Sequence, residues 1–219
     1  MKCIIPCAGE SSRMSYVPKH LITINGEPLL HHVINSWKDK VDSFVFVIKR
    51  SMTYMWEFLP ENAIVVFQDE PKGLADAILQ AEKCVSGKFI VTLGDCLFKG
   101  SFAETEFDLG IGVWKTNNVD EVLKSYLVTV TNSGNIAGLE EKPKIAPQPS
   151  NCGMGTYFFD TRLFDYIRAY KGQLGGGDLT HIMQNMIDAG EKISPVWFRG
   201  DYINIGSPED IRKAEEMLK

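Results

Sequence analysis

The sequence predicts a single α/β domain with one mixed, mainly parallel sheet flanked by helices. Apolar runs of strand length recur at residues 3–6, 44–48, 64–67 and 89–93. These runs are continuous rather than alternating, which is typical of strands buried on both faces. Helix-like segments separate the runs, near 28–37, 52–58 and 74–85. Strands that alternate with helices in this way form βαβ units, whose strands are parallel.

The pattern changes in the second half of the chain, where apolar segments are closer together. Strands are expected at 108–115, 125–131, 136–139 and 155–159. The sequence TNSGN at 131–135 is typical of a hairpin turn. Helices are expected at 161–170, 178–189 and 208–218, the last with Ser207 as its N-cap and Pro208 in its first position.

The stretch 141–149 contains three prolines and is expected to be a loop. Neither a repeat nor a low-complexity linker divides the chain. Residues 1–219 are therefore predicted to form one domain.

Composition narrows the class of protein. A hydrophobic content of 44% with 23% charged residues is that of a globular protein, and the net charge of −5 argues against a nucleic-acid-binding surface. The five cysteines are odd in number and lack C-x-x-C pairs, as expected of reduced thiols in a cytoplasmic protein. No apolar run is long enough for a membrane span, so no membrane partner is expected.

Polar clusters follow several of the predicted strands. They lie at 7–19, 68–73, 94–95 and 140–143. In open α/β sheets, ligands bind beyond the carboxyl ends of the strands. We therefore expect these four clusters to face one crevice.

The cluster at 7–19 is suited to phosphate. Its small residues let backbone N–H groups form a concave anion-binding nest, Arg13 can contact two phosphate oxygens, and Lys19 can act as a point charge. An ordinary strand-to-helix connection would explain the small residues equally well. The segment lacks the lysine-serine ending of a P-loop, which argues against an ATPase of that class.

The other clusters also allow two interpretations. Asp95 ends the buried run FIVTLGD, where a carboxylate can hold Mg²⁺ together with substrate phosphates, or can simply cap a turn. Glu141 could bind a pair of hydroxyls and Lys142 a monophosphate, or both could be a solvated strand end. The histidines have no metal-binding spacing, and no nucleophile elbow is present.

The order of the motifs is more specific than any one of them. The motifs are A-G-x-x-S-R-M at 8–14 with P-K at 18–19, Q-x-x-P-x-G-L-A-x-A at 68–77, L-G-D at 93–95, L-E-E-K-P at 139–143, G-x-Y-x-F-D at 155–160 and I-G-S-P-E-D at 205–210. This series resembles the sugar-1-phosphate nucleotidylyltransferases of the glucose-1-phosphate thymidylyltransferase type. The resemblance covers nearly the whole chain and implies a Rossmann-like nucleotidyltransferase fold.

The resemblance implies a nucleotide-binding role for residues in the first half of the chain. The loop that would bind the nucleoside triphosphate comprises Ala8, Gly9, Glu10, Ser11, Ser12 and Arg13. Gln68 and Gly73 would recognise the base. Arg13 on the phosphates, Lys19 near the α-phosphate and Asp95 on Mg²⁺ would be the catalytic residues.

It likewise implies an acceptor-binding role for residues further along. Glu141 and Lys142 would hold the sugar and its phosphate, and Gly155 the edge of the sugar. Asn204 would face the substrates as a second Mg²⁺ ligand, where the family commonly has an aspartate.

The implied reaction is transfer of a nucleoside monophosphate from an NTP to a sugar-1-phosphate, giving an NDP-sugar and pyrophosphate. The partners are then an NTP and a phosphomonoester, and a homo-oligomer is compatible with the sequence. One alternative is a CTP-dependent cytidylyltransferase acting on a non-sugar phosphomonoester such as phosphocholine or inositol phosphate. Another is a nucleotide-binding relative without turnover, an idea prompted by Ser11, where the family usually has glycine, and by Asn204.

Overall fold

A central ten-stranded sheet organises the computed structural model, which describes residues 1–9, 18–70, 72–103 and 108–219. The strands are β1 Lys2–Pro6, β2 Thr23–Ile24, β3 Glu27–Pro28, β4 Ser43–Ile48, β5 Ile64–Phe67, β6 Lys88–Thr92, β7 Cys96–Phe102, β8 Leu109–Thr116, β9 Tyr126–Val130, β10 Ile136–Glu141, β11 Ser150–Asp160 and β12 Ile193–Asn204. The α-helices are α1 Leu29–Trp37, α2 Leu74–Gln80, α3 Val119–Lys124, α4 Arg162–Ala169, α5 Asp178–Asp188 and α6 Pro208–Met217. Short 3₁₀ segments cover Lys19–Leu21, Arg50–Phe58 and Glu82–Cys84.

The sheet has the order β5-β4-β1-β6-β11-β8-β12-β7, and the β9–β10 hairpin pairs with β11. β5, β4, β1 and β6 are mutually parallel, as are β8 and β12. β11 is antiparallel to both β6 and β8, and β7 is antiparallel to β12. Six of the eight strands in this path therefore run in one direction, which confirms the predicted mixed, mainly parallel sheet with flanking helices.

The inner strands are continuously apolar because both faces of the sheet are covered. On one face, Ile4, Val45 and Val91 join a core cluster with residues of α2, α4 and α5. On the other face, Ile5 and Phe46 pack into a second cluster with α1. Since side chains alternate between faces along a strand, burial on both sides removes the polar positions.

Two predicted helices differ from the observed ones. The segment expected as one helix over 74–85 is α2 followed by a separate 3₁₀ turn, because the backbone changes to i→i−3 hydrogen bonds at Ala81, whose N–H donates to Ile78 O at 3.0 Å. The helix expected over 52–58 is a 3₁₀ segment, Arg50–Phe58, interrupted by the non-helical backbone of Met52.

Two local predictions are confirmed. Thr131 N–H donates to Asn135 O at 2.8 Å and closes the TNSGN turn, in which Gly134 has a positive φ of 87°. Ser207 caps α6 by accepting a hydrogen bond from the Asp210 N–H, and Pro208 begins the helix. Among the described residues, no helix is long and apolar enough to cross a membrane.

Candidate active site

One crevice of about 620 Å³ lies where the parallel strands β1, β5 and β6 end. The segments that follow these strands form one side of it. The other side comes from β12 and from β9, β10 and β11. Thr156 of β11 pairs with Thr92, the last residue of β6, so the part of β11 before Thr156 extends beyond the end of β6. Ten predicted site residues line this crevice: Ala8, Gly9, Lys19, Gln68, Gly73, Asp95, Glu141, Lys142, Gly155 and Asn204. The predicted residues Glu10, Ser11, Ser12 and Arg13 lie outside the described residues.

An ion pair between Lys19 and Asp95 lies in this crevice. Lys19 Nζ is 2.6 Å from Asp95 Oδ2, and both side chains are largely shielded from solvent. The next residue, His20, is buried, with its Nδ1 3.3 Å from Gly94 O. A Cβ at Gly94 would lie 2.8 Å from this ring nitrogen, so the residue before Asp95 must be small. Burial lowers the pKa of His20 despite the nearby Asp95 carboxylate.

The orientation of the Gln68 amide is fixed by its neighbours. Gln68 Nε2 donates to Asp76 Oδ2 at 2.6 Å and to Gly73 O at 3.2 Å. Because both partners can only accept, the NH₂ group must face them. Gln68 Oε1 has no donor among the described residues, so this carbonyl is the group that Gln68 can offer to a base.

Gly73 lies where a side chain would not fit. Its φ is +117°, and a Cβ there would be 2.2 Å from Asp178 Oδ2 and 2.6 Å from Gly175 N. Asp178 is buried and accepts hydrogen bonds from Ala75 N at 3.2 Å and Leu179 N at 2.7 Å. It therefore caps α2 from a distance, since Gly73 has no side chain to do so. Burial raises the pKa of Asp178, and its backbone donors oppose that shift.

Gly73→Ala is expected to lower the free energy of unfolding by more than about 2 kcal/mol, because backbone strain and a clash with Asp178 add together. It should also weaken NTP binding. Gly87→Ala is the matched control: Gly87 has a positive φ of 62° but open space around its Cβ position. That change should cost only about 1 kcal/mol. Urea unfolding of both variants measures the difference, and equal losses would contradict the assigned clash.

The side of the crevice that carries Glu141 and Lys142 is held by α5. Glu141 Oε2 accepts a hydrogen bond from Thr180 Oγ1 at 2.8 Å, and a Cβ at Gly177 would lie 2.8 Å from Glu141 Cγ. Lys142 Nζ is 3.8 Å from Glu141 Oε1, and its side chain remains half exposed. Glu141 is thus held through Oε2 by Thr180, and Glu141 and Lys142 both belong to the lining of the crevice.

Gly155 is packed against the floor of the crevice. Its carbonyl accepts a hydrogen bond from Leu93 N at 2.7 Å. A Cβ there would lie 2.6 Å from Cys96 Sγ and 2.8 Å from Leu93 Cδ1. A larger residue would push the strand away from the segment that carries Asp95.

Three tyrosines line the crevice, a cluster that is not visible in the linear sequence: Tyr126, Tyr157 and Tyr202. Each is only 3% exposed. The rings of Tyr126 and Tyr157 are stacked, with an interplanar angle of 10°. The hydroxyl of Tyr126 donates to Met154 O, and that of Tyr202 contacts Cys96 Sγ. These rings pack on protein and do not form an open cage for a quaternary ammonium.

The two candidate metal ligands lie side by side. Asn204 is opposite Cys96 in the β12–β7 pair, and Ile205 N donates to Asp95 O at 2.9 Å. Among the described residues, no group of three or more histidine, cysteine or acidic side chains could hold a metal. One carboxylate and one amide oxygen fit a Mg²⁺ ion whose remaining ligands are substrate phosphates and water.

Comparisons with known proteins identify the family of this chain. The family model for nucleotidyl transferases matches residues 14–219. A bifunctional protein GlmU from Methanocaldococcus jannaschii is 28% identical over 226 residues, which cover 100% of this chain and 54% of the relative. The chain thus spans about half the length of such GlmU relatives. A UTP–glucose-1-phosphate uridylyltransferase, AglF, from Haloferax volcanii is 27% identical over 237 residues, covering 100% of this chain and 97% of the relative.

Solved structures share the fold. An inositol-1-phosphate CTP transferase from T. maritima has a TM-score of 0.80 at 21% identity, covering 100% of this chain and 96% of its own. A UDP-glucose pyrophosphorylase from Acinetobacter baumannii has a TM-score of 0.79 at 19% identity, with coverages of 98% and 91%. These likenesses confirm the predicted Rossmann-like nucleotidyltransferase fold. With the family model matched from residue 14 to residue 219, this chain belongs to the nucleotidyl transferase family.

Proposed function

We propose that this chain is a nucleotidylyltransferase that transfers a nucleoside monophosphate from an NTP to a sugar-1-phosphate and releases pyrophosphate. One observation carries the proposal: residues expected for the NTP and residues expected for the acceptor line the same crevice. The Lys19–Asp95 pair is part of that crevice lining. The name of the Haloferax volcanii relative, a glucose-1-phosphate uridylyltransferase, supports the choice of a sugar-1-phosphate acceptor.

The proposed step is an in-line displacement at the α-phosphorus of the NTP. An oxygen of the acceptor phosphate forms a new bond to this phosphorus, and the bond from the α-phosphorus to the oxygen bridging to the β-phosphate breaks. The electron pair leaves with pyrophosphate. Because the acceptor oxygen is already an anion, no general base is required, and positioning and electrostatic stabilisation account for catalysis.

The crevice supplies cations on both sides of the proposed reaction centre. Lys19 lies on the nucleotide side and Lys142 on the acceptor side, and Arg13 is expected to add a further charge from the phosphate loop. Asp95 and Asn204 would hold Mg²⁺, which when bound neutralises charge on the phosphates. The protein's part is to hold two polyanions close together in a line suitable for attack.

A pyrophosphate-release assay with Mg²⁺ tests this proposal. Each NTP is combined with a panel of sugar-1-phosphates, phosphocholine and inositol phosphate. Release that depends on a sugar-1-phosphate is the expected result. Release only with CTP and a non-sugar phosphomonoester would replace the proposed acceptor with the alternative. Nucleotide binding by calorimetry without release for any pair would favour the non-catalytic relative.

The remaining expectations are also proposals. We propose that residues 1–219 form a single nucleotidyltransferase domain, which is supported by a sheet that joins β1 with β12. All five cysteines are free thiols, which supports a reducing, cytoplasmic location. Light scattering on the purified protein would test whether the chain forms a homo-oligomer.

A further inference from the structure

A network of three charged residues lies beside Asn204 and has no part in the predicted site. Glu121 and Asp210 are buried, with exposures of 2% and 1%. Lys124 Nζ lies between them, 3.1 Å from Glu121 Oε1 and 2.7 Å from Asp210 Oδ1. Lys124 also lines the crevice. The two carboxylates come from different helices, α3 and α6, so the ammonium joins elements that are distant in sequence.

Each carboxylate uses its second oxygen to hold the segment that follows β12. Glu121 Oε2 accepts a hydrogen bond from Asn204 N at 3.1 Å. Asp210 Oδ2 accepts hydrogen bonds from Gly206 N at 2.9 Å and from Ser207 Oγ at 2.8 Å. The segment 204–207 is therefore held by Glu121 and Asp210, and both carboxylates are paired with Lys124.

The same segment is bonded to Asp95 on its other side. Ile205 N donates to Asp95 O at 2.9 Å. Asn204 and Asp95 are the candidate metal ligands, and their separation depends on where this backbone lies. The Asn204 side chain has no hydrogen-bond partner among the described residues, so only its backbone is held, and its amide oxygen is available for a ligand.

The network depends on the positive charge of Lys124. Burial would raise the pKa of Asp210, but hydrogen bonds, first that from Lys124, hold this pKa below its ordinary value. Burial by itself lowers the pKa of Lys124. The hydrogen bonds and negative charges of Asp210 and Glu121 outweigh the effect of burial, so the pKa of Lys124 is raised. Without the ammonium, two buried carboxylates would repel each other and lose a shared partner.

We propose that Lys124, together with Glu121 and Asp210, positions Asn204 relative to Asp95 and thereby sets the affinity of the crevice for a divalent cation bound with the nucleotide. This rests on the proposed function. Lys124 is a positioning residue, because it acts through Asn204. Residues that orient metal ligands typically change metal affinity or activity by about 10- to 100-fold when they are replaced.

The test compares Lys124→Met with Lys124→Arg and with Lys213→Met. Lys213 is the matched control because it makes an exposed ion pair with Glu209 on α6, near the network but outside it. The first measurement is calorimetric: the Kd of the NTP in EDTA is compared with its Kd in Mg²⁺, without acceptor and therefore without turnover. The second is the Mg²⁺ concentration that gives half-maximal pyrophosphate release.

Lys124→Met should lower the ratio of the NTP Kd in EDTA to the NTP Kd in Mg²⁺ (the Mg²⁺ advantage) by about tenfold. It should also raise the Mg²⁺ concentration for half-maximal pyrophosphate release by about tenfold. The Kd in EDTA should stay close to that of wild type. Lys124→Arg, which keeps the charge, should restore much of the effect, and Lys213→Met should behave as wild type. If Lys124→Met does not fold, Glu121→Met provides the same comparison, because it removes the carboxylate that accepts the hydrogen bond from Asn204 N.

An unchanged Mg²⁺ advantage in a folded Lys124→Met or Glu121→Met protein would overturn the proposal. Equal loss in Lys213→Met would do so as well. If the wild type releases no pyrophosphate but binds NTP more tightly with Mg²⁺, the proposed function fails while this inference can still be tested by calorimetry. If Mg²⁺ gives the wild type no advantage, the inference is wrong.

Discussion

Asp95→Asn is expected to reduce turnover by on the order of 10³-fold while the protein remains folded. The carboxylate of Asp95 pairs with Lys19 at 2.6 Å. Among the described residues that line the crevice next to Asn204, Asp95 is the one acidic candidate for a metal ligand. Asparagine has nearly the same size as aspartate but lacks the negative charge that pairs with Lys19 and that would bind Mg²⁺. The amide oxygen can still accept a hydrogen bond from Lys19 Nζ, so the variant is expected to fold, with some loss of stability because the Lys19 charge is left uncompensated. Steady-state kinetics and thermal unfolding measure the two effects.

Asp201→Asn is the control for this experiment, since Asp201 lies exposed on β12, outside the crevice lining. It should leave both turnover and the melting temperature unchanged. If Asp95→Asn retained turnover close to that of wild type, Asp95 would not belong to the reaction centre. If both variants lost activity together, the loss would reflect general damage to this part of the sheet.

Lys19→Met is expected to lower kcat by about 10²–10³-fold, with a smaller effect on NTP affinity. The ammonium contacts Asp95 in the crevice, where we propose that it stabilises charge that builds up on the α-phosphate during transfer. Methionine keeps much of the aliphatic length and removes the charge. Single-turnover kinetics with saturating NTP separate the chemical step from binding. A rise in KM with unchanged kcat would assign Lys19 to ground-state binding only.

Lys38→Met and a double variant complete that test. Lys38 follows α1 and is exposed outside the crevice lining, so its replacement should have no effect. Lys19→Met combined with Asp95→Asn should be little slower than the worse single variant, because paired groups act as a unit. Fully additive losses would mean that the two residues act independently.

Three of the residues predicted from sequence lie just after a strand. Ala8, Gln68 and Asp95 follow β1, β5 and β6, which are parallel and end at the same edge of the sheet. Continuous apolar runs marked these strands, so the sequence was sufficient to bring the segments together. The roles of the individual side chains are predictions that await the experiments above.

The positioning residues were not predicted because they carry no such signal. Lys124 and Glu121 belong to a helix of only six residues, too short to give a periodic pattern. Asp178 and Thr180 begin α5, and their partners are about 40 to 100 residues away in sequence. The run of three glycines before Asp178 was the available signal, since such a run permits backbone conformations that bring a helix start close to another chain segment.

Two strands of the central sheet, β7 and β12, were missed for a related reason. In β7, Lys99, Gly100 and Ser101 are exposed and interrupt the apolar run. In β12, Pro195 and Gly200 divide a strand of twelve residues into pieces that are too short to recognise. These strands form one margin of the sheet and place Asn204 next to Asp95, so the geometry of the candidate metal ligands required the tertiary structure.

The most direct test of nucleotidyl transfer follows the phosphorus atoms of the NTP. The active NTP is supplied with a radiolabel either at the α-phosphate or at the γ-phosphate, together with its acceptor. Nucleotidyl transfer predicts that the α label is transferred to the acceptor product and the γ label to pyrophosphate, in equal amounts. A γ label on the acceptor, or in free orthophosphate, would indicate a kinase or a hydrolase and would contradict the proposed reaction.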